Sequence, residues 1–323
     1  MAKRKRRIIF WIIGLVWLLV AGMLFWCMRP PKNTIPTVSH GSLERFPQFN
    51  SQFIQPRDVV VWLPEGYHTG DSCDVMYAHD GNMLFDATTT WNGQEWRVDE
   101  VMDSLMQAGK IRSCIVVGIY NTDERLTEYF PAKTWHYVAE ADRQKTNLEK
   151  LTADAYLQFI VKELKPFIDE RYKPLTTREH TFMMGSSMGG LISLYALCEY
   201  LQVFGGVACL SSHLSMAHLP DGLDGEMWAT GFRDYVGARL SEANTRLIYM
   251  DHGTKDFDAD YGKYQDLLDR TIESKGWDKE HYKSLVFEGH GHNEKSWASR
   301  LDQPLLFLLG KEPADTATIN LNK

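Results

Sequence analysis

From about residue 57 to residue 310, short apolar runs alternate with stretches in which apolar residues recur every three or four positions. The runs "RDVVVWLP" (57–64), "CDVMYAHD" (73–80), "SCIVVGIY" (113–120), "HTFMMG" (180–185), "FGGVACLS" (204–211), "TRLIYMD" (245–251) and "KSLVFEG" (283–289) read as strands. Helical spacing predicts helices over 96–109, 152–172, from Met188 to about Tyr200, over 260–276, and over 293–310 with a break near Pro304. In 152–172, Tyr156, Phe159, Ile160, Leu164 and Phe167 share one face, the mark of a helix lying on a core. Near-continuous apolar strands between such helices imply a mostly parallel sheet covered on both faces. The expectation is one α/β domain over residues 33–312 with a tail over 313–323. The segment 215–240 breaks the rhythm and reads as a helical insertion over one edge of the sheet.

The start of the chain has a different pattern. "MAKRKRR" precedes residues 8–28, a run of 21 without a charged side chain. At about 1.5 Å per residue such a run reaches roughly 30 Å, enough to cross a bilayer. Residues 1–32 thus read as a basic N-terminus with one transmembrane helix, and "RPPKNTIPT" (29–37) as a spacer. A signal peptide cleaved after "VAG" (20–22) is the alternative. It is disfavoured because the apolar run continues through "MLFWCM". Lys3, Arg4, Lys5, Arg6 and Arg7 lie before the span and only Arg29 and Lys32 closely after it. The positive-inside rule then predicts a single-pass protein of the cytoplasmic membrane, N-terminus inside and body extracytoplasmic (periplasmic).

Charge narrows the possible partners. Residues 1–32 hold seven of the 35 Lys/Arg and none of the 42 Asp/Glu, so the remainder carries 28 basic against 42 acidic groups, a formal net charge of −14. Phosphate binding needs clustered cations, so nucleic acid is excluded as a partner. The five cysteines form no CxxC pair and no disulfide-framework spacing, and read as free thiols.

Candidate chemistry centres on "MMGSSMGGLISLYA" (183–196), where a strand meets a helix. Gly185-Ser186-Ser187-Met188-Gly189 matches G-x-S-x-G, a sharp turn that exposes the central serine at a sheet edge and a helix N-terminus. Small residues also occur at any tight strand–helix turn, so the motif needs partners. A serine hydroxyl needs a base, and the base an orienting carboxylate. "FEGHGHNEKSW" offers His290 and His292 after the last strand. His292 is preferred because it sits where the loop enters the final helix. The H-x-H spacing lacks further ligands nearby, so no metal is expected, and no cofactor. "YMDHGTKDFDAD" offers Asp251, Asp256, Asp258 and Asp260. Its Asp-x-Asp-x-Asp run resembles a calcium loop, but Leu267 stands where the bidentate glutamate belongs. Asp256, just past the "HGT" turn, is the expected acid. The backbone N–H groups of Met188 and of Asn82, or Gly81, in "YAHDGNMLFD" (77–86) are the candidate oxyanion donors.

Taken together, "YAHDGNMLFD", "GIYNTDERLTEYFP" (118–131), "GSSMGG", "YMDHGTKD" and "GHGHNEKSWASRL" resemble the Putative esterase (esterase D-like) family of α/β hydrolases in order and spacing over about residues 40–310. That family includes enterochelin esterase, S-formylglutathione hydrolase, the feruloyl and acetyl-xylan esterases of carbohydrate esterase family 1, and the mycolyltransferases. The resemblance implies an α/β-hydrolase fold and a serine esterase. Carried over by position, it implies Ser187 as nucleophile, Asp256 as acid, His292 as base, and backbone donors at Asn82 and Met188. Relatives often carry glutamate where Asp256 stands. Arg125 and Glu128 in "ERLTEY" also match, but carry no assigned role. The expected substrate is a small-molecule or carbohydrate ester. Acyl transfer on the same scaffold and a non-catalytic, membrane-tethered binding module are the alternatives.

Overall fold

The computed structural model describes residues 35–140, 151–215, 225–242 and 245–311. The predicted membrane span and the tail from 313 lie outside the described residues. Among the described residues no helix is long and apolar enough to cross a membrane.

Eight strands form one sheet: β1 (Ser42–Phe49), β2 (Arg57–Leu63), β3 (Asp74–His79), β4 (Cys114–Ile119), β5 (Thr181–Ser186), β6 (Gly206–Leu210), β7 (Leu247–Gly253) and β8 (Tyr282–Phe287). Their spatial order is β1-β2-β4-β3-β5-β6-β7-β8. Pairing is parallel from β4 through β8, while β2 runs antiparallel to both β1 and β4. The apolar runs are continuous because both faces are buried. Val59, Val61, Val75, Tyr77, Ile115 and Val117 enter one core cluster. Their neighbours Val60, Trp62, Met76, Ala78, Cys114 and Val116 enter the other. Each such valine, isoleucine or methionine side chain contributes about 1.5–3 kcal/mol relative to exposure.

All seven predicted strands are present. β1 is the addition. It is an exposed edge strand with Pro47 in its sequence and a register shift between Phe46 and Phe49, so alternation is too broken to mark it.

On one face lie α1 (Val98–Gln107) and α9 (Asp302–Leu309). On the other lie α3 (Ala153–Phe159), α4 (Lys165–Tyr172), α5 (Met188–Glu199), α6 (Gly225–Arg239) and α7 (Gly262–Ser274). The short α2 (Arg125–Tyr129) and α8 (Glu294–Ala298) are the remaining α-helices among the described residues.

Three expectations change. The helix expected over 152–172 is divided by a π-turn at Ile160–Leu164. Pro166 lacks an N–H, and its ring would collide with the Lys162 carbonyl in a regular helix. The last helix breaks at 299–301 instead of at Pro304; Pro304 sits in the first turn of α9, where a missing donor costs nothing. Helix α6 does not cover an edge. Trp228, Phe232, Tyr235 and Val236 are buried in the larger core, with Trp228 4.1 Å from the Phe130 ring.

Candidate active site

At the end of β5 the chain turns into α5 through Ser187, whose φ of 56° and ψ of −121° no ordinary L-residue prefers. The turn is tight enough to forbid a side chain at Gly185. A Cβ there would lie 2.7 Å from the Gly189 carbonyl carbon. Backbone bonds pin the strained residue: Ser187 N–H donates to Leu210 O at 2.9 Å, and Ser187 O accepts from His213 N–H at 3.1 Å. Ser186, the other serine, is buried at the strand end.

His292 comes from the loop between β8 and α8. Its Nδ1 meets Asp258 Oδ1 at 2.6 Å, while the rings of Trp297, Phe257 and Tyr261 stand edge-on around it at 5.1, 5.6 and 5.7 Å. His290 instead faces the outside, with Nδ1 3.4 Å from Ser299 Oγ.

The carboxylate against His292 is thus Asp258 and not Asp256, which corrects the sequence expectation. After β7 the chain forms a one-turn 3-10 helix over Asp256–Asp260. At about three residues per turn, positions two apart face different directions. Asp256 opens that turn with a φ of 55° and is exposed; its Oδ2 lies 2.0 Å from where a Cβ of Gly291 would be. Asp258 is turned inward and is 1% exposed.

Behind Asp258 is a buried polar network. Its Oδ2 accepts from Gly253 N–H at 2.7 Å and Ser211 Oγ–H at 2.6 Å. The Ser211 oxygen in turn accepts from Trp297 Nε1 at 3.0 Å and Arg300 Nη2 at 2.8 Å. Arg300 also binds Asp251 Oδ1 at 3.0 Å and lies 3.9 Å from Asp258 Oδ2. Burial alone would raise the Asp258 pKa, but the hydrogen bonds from His292 and Ser211 outweigh it and hold the carboxyl below its usual range. For Asp251 burial prevails over Arg300, and the pKa is raised.

The candidate oxyanion donors lie at the ends of two neighbouring parallel strands, β5 and β3. Met188 opens α5, so its N–H has no intrahelical acceptor. Asn82 lies in the short turn Gly81–Met83 after β3, and β3 is the parallel neighbour of β5. His79, the last residue of β3, is 1% exposed, with Nδ1 2.8 Å from Tyr156 Oη. Burial lowers its pKa to about 3.

Ser187 and His292 open onto a single cavity of about 530 Å³. Its walls combine the aromatic Trp91, Trp96, Trp297 and Phe257 and the amides of Asn92, Gln94 and Asn121 with the charged Asp80, Arg125 and Glu294. Trp91 is 81% exposed at the mouth, and Asn92 Nδ2 ties its loop to Glu294 Oε2 at 2.8 Å. Ser211, Arg300 and the aromatic walls went unassigned in the sequence. Arg300 follows "GHGHNEKSWAS" closely enough that its place after α8 was the one available signal.

A mostly parallel eight-stranded sheet with helices on both faces defines a fold of α/β-hydrolase type. The family follows from the chain itself: the sequence profile of the Putative esterase family matches residues 51–308, and the protein belongs to that family, which makes it an ester hydrolase. It is 23% identical over 262 residues to the uncharacterized protein YbbA of Bacillus subtilis (strain 168), covering 79% of this chain and 93% of that protein. A ferulic acid esterase structure superposes with a TM-score of 0.61 at 20% identity, over 83% of this chain and 98% of that one. The enterobactin esterase FES from Shigella flexneri, solved with 2,3-di-hydroxy-N-benzoyl-glycine, gives 0.59 at 18% identity, over 86% of this chain and 63% of that one.

Proposed function

We propose that Ser187, His292 and Asp258 form a catalytic triad that cleaves carboxylic esters through an acyl-enzyme. The observation that carries this reading is the strained Ser187 and the Asp258-backed His292 lining one cavity. Asp258 engages His292 Nδ1, which leaves Nε2 to take the Ser187 proton as the hydroxyl attacks the carbonyl carbon. The developing oxyanion is met by the N–H groups of Met188 and Asn82. His292 then returns the proton to the leaving alcohol. Water, deprotonated by the same nitrogen, releases the acid and restores Ser187.

The substrate we propose is an acylated carbohydrate. A lining that combines tryptophans with side-chain amides and charged groups suits a ring with an apolar face and a hydroxylated edge. The uncharged run 8–28 after five basic residues supports a single-pass anchor that holds the enzyme outside the cytoplasm. Alkaline phosphatase fused after Lys323 should then be active in cells; activity of a cytoplasmic reporter alone would reverse the orientation.

The test of the chemistry is direct. Ser187→Ala should abolish hydrolysis of p-nitrophenyl acetate and labelling by a fluorophosphonate, with a loss of about 10⁶ in kcat. Ser186→Ala should retain both. An adduct located on Ser186 by mass spectrometry would sink the assignment.

A further inference from the structure

Arg125 and Glu128 had no role in the sequence, and the structure gives them partners that converge on the loop after β3. Asp80, the first residue of that loop, is held in the left-handed region at φ 54° and ψ 45°. Its carboxylate receives Arg125 Nε at 2.7 Å, Arg125 Nη2 at 2.8 Å and Asn121 Nδ2 at 2.6 Å. Its backbone N–H donates to Tyr129 Oη at 3.3 Å. Arg125 and Tyr129 are one helical turn apart on α2, and the guanidinium sits 5.0 Å from the Tyr129 ring centroid.

The helix is itself staked by a second ion pair. Glu128 is 2% exposed and takes Arg57 Nη1 and Nη2 at 2.8 and 2.5 Å. The loop has no slack beyond Asp80: a Cβ on Gly81 would lie 2.5 Å from the Gly118 carbonyl carbon on β4. Met83 N–H closes the turn on Asp80 O at 2.8 Å. Asn82 is therefore confined between an anchored Asp80 and a closed turn.

We infer that Arg125 is a positioning residue: paired with Asp80 and braced by Glu128–Arg57, it fixes the Asn82 N–H where the oxyanion forms. This rests on the ester-hydrolysis reading above. An arginine is suited to the task because two parallel N–H···O bonds set the orientation of a carboxylate as well as its distance, which a lysine ammonium does not do. An oxyanion donor acts only if it is in place before charge develops. A loop freed to move by a fraction of an ångström therefore costs turnover while leaving ground-state binding intact.

The experiment measures kcat and KM separately on p-nitrophenyl acetate for wild type, Arg125→Met, Arg125→Lys and Asp80→Asn, each normalised to the sites a fluorophosphonate titrates. Arg125→Met should lower kcat about 10–100-fold, short of the 10²–10³ for deleting a donor outright, with KM within about twofold. Arg125→Lys should recover part of the loss. The Arg125→Met/Asp80→Asn double variant should be little worse than either single one, since the pair acts as a unit. Affinity for a boronic acid, whose tetrahedral adduct places an oxygen in the same position, should fall in step with kcat.

A raised KM at unchanged kcat would overturn the inference, because Arg125 would then be touching substrate. So would a lowered Tm with unchanged kcat per titrated site, which marks a clamp without catalytic consequence. Absence of Ser187-dependent turnover in the wild type is a separate result, and it would remove the hydrolysis reading itself.

Discussion

Ser187 lines the cavity at the end of β5, Asp258 lies buried behind His292 after β7, and different forces hold them there. At Ser187 the backbone does the holding. The residue is clasped by main-chain bonds to Leu210 and His213, and Gly185 is packed so closely on Gly189 that only hydrogen fits. At Asp258 side chains do the holding. Ser211, His292 and, one step back, Arg300 converge on a carboxylate that is fully buried. The first arrangement is fixed by sterics within Gly185–Gly189 and by main-chain bonds to the neighbouring strand end, which need no particular side chain. The second depends on groups from four separate segments meeting in space, so it can be altered by changes far away in sequence.

The largest effect should separate the two aspartates of the β7 loop. Asp258→Asn leaves His292 Nδ1 facing an amide that cannot both orient the ring and stabilise an imidazolium, and kcat should fall by about 10⁴. Asp256→Asn should change kcat by less than about threefold, since Asp256 is exposed and its carboxylate lies over Gly291. Steady-state kinetics on an aryl acetate decides between them. If Asp256→Asn were the damaging change, the 3-10 turn that separates the two would have to rearrange in solution.

This difference also explains what could be read in advance. Strands β2 to β7 were legible because burial on both faces leaves unbroken apolar runs. The partly buried edge strand β8 still carried the short apolar run Leu285–Phe287. The turn at Ser187 was legible because G-x-S-x-G states a steric need in consecutive residues. His292 was separable from His290 by its position at the entry to α8. The choice among Asp256, Asp258 and Asp260 was not legible. All three are the same residue type at alternate positions, and a single 3-10 turn decides which faces inward. Nor was β1, whose Pro47 and bulge erase the alternation of an edge strand. The Arg125–Asp80 pair spans 45 positions, a separation no periodicity reports.

A steric clasp should break under a single methyl. Gly185→Ala drives a Cβ to 2.7 Å from main-chain atoms of Gly189, where no side chain can swing away. We expect a loss of about 3 kcal/mol in urea unfolding, at the upper end for overpacking. Unchanged stability would mean that α5 can slide along β5, against the reading of the turn as rigid.

The smallest effect distinguishes the two regions by pH. His79 packs behind the turn, with its Cβ 3.3 Å from where a Cβ of Gly189 would be. Burial lowers its pKa from 6.5 to about 3. The unfolded chain therefore takes up a proton below pH 6.5 that the folded protein refuses until about pH 3, so stability falls as pH drops across that window. At pH 5 the cost is about 2 kcal/mol relative to pH 7. Asp258 behaves differently. Its folded pKa lies below the ordinary 3.8, so the stability it contributes is fully present above that value and is lost only as pH falls through the folded pKa. Between pH 7 and pH 5 the turn should thus be the acid-sensitive region and the aspartate loop should not. His79→Asn keeps an amide near Tyr156 Oη but has no proton to gain, so it should lose about 2 kcal/mol less than wild type over that interval, whatever its stability at pH 7. Equal pH slopes for the two proteins in urea titrations would show that His79 is protonated without penalty, and that the turn is less tightly sealed than its geometry requires.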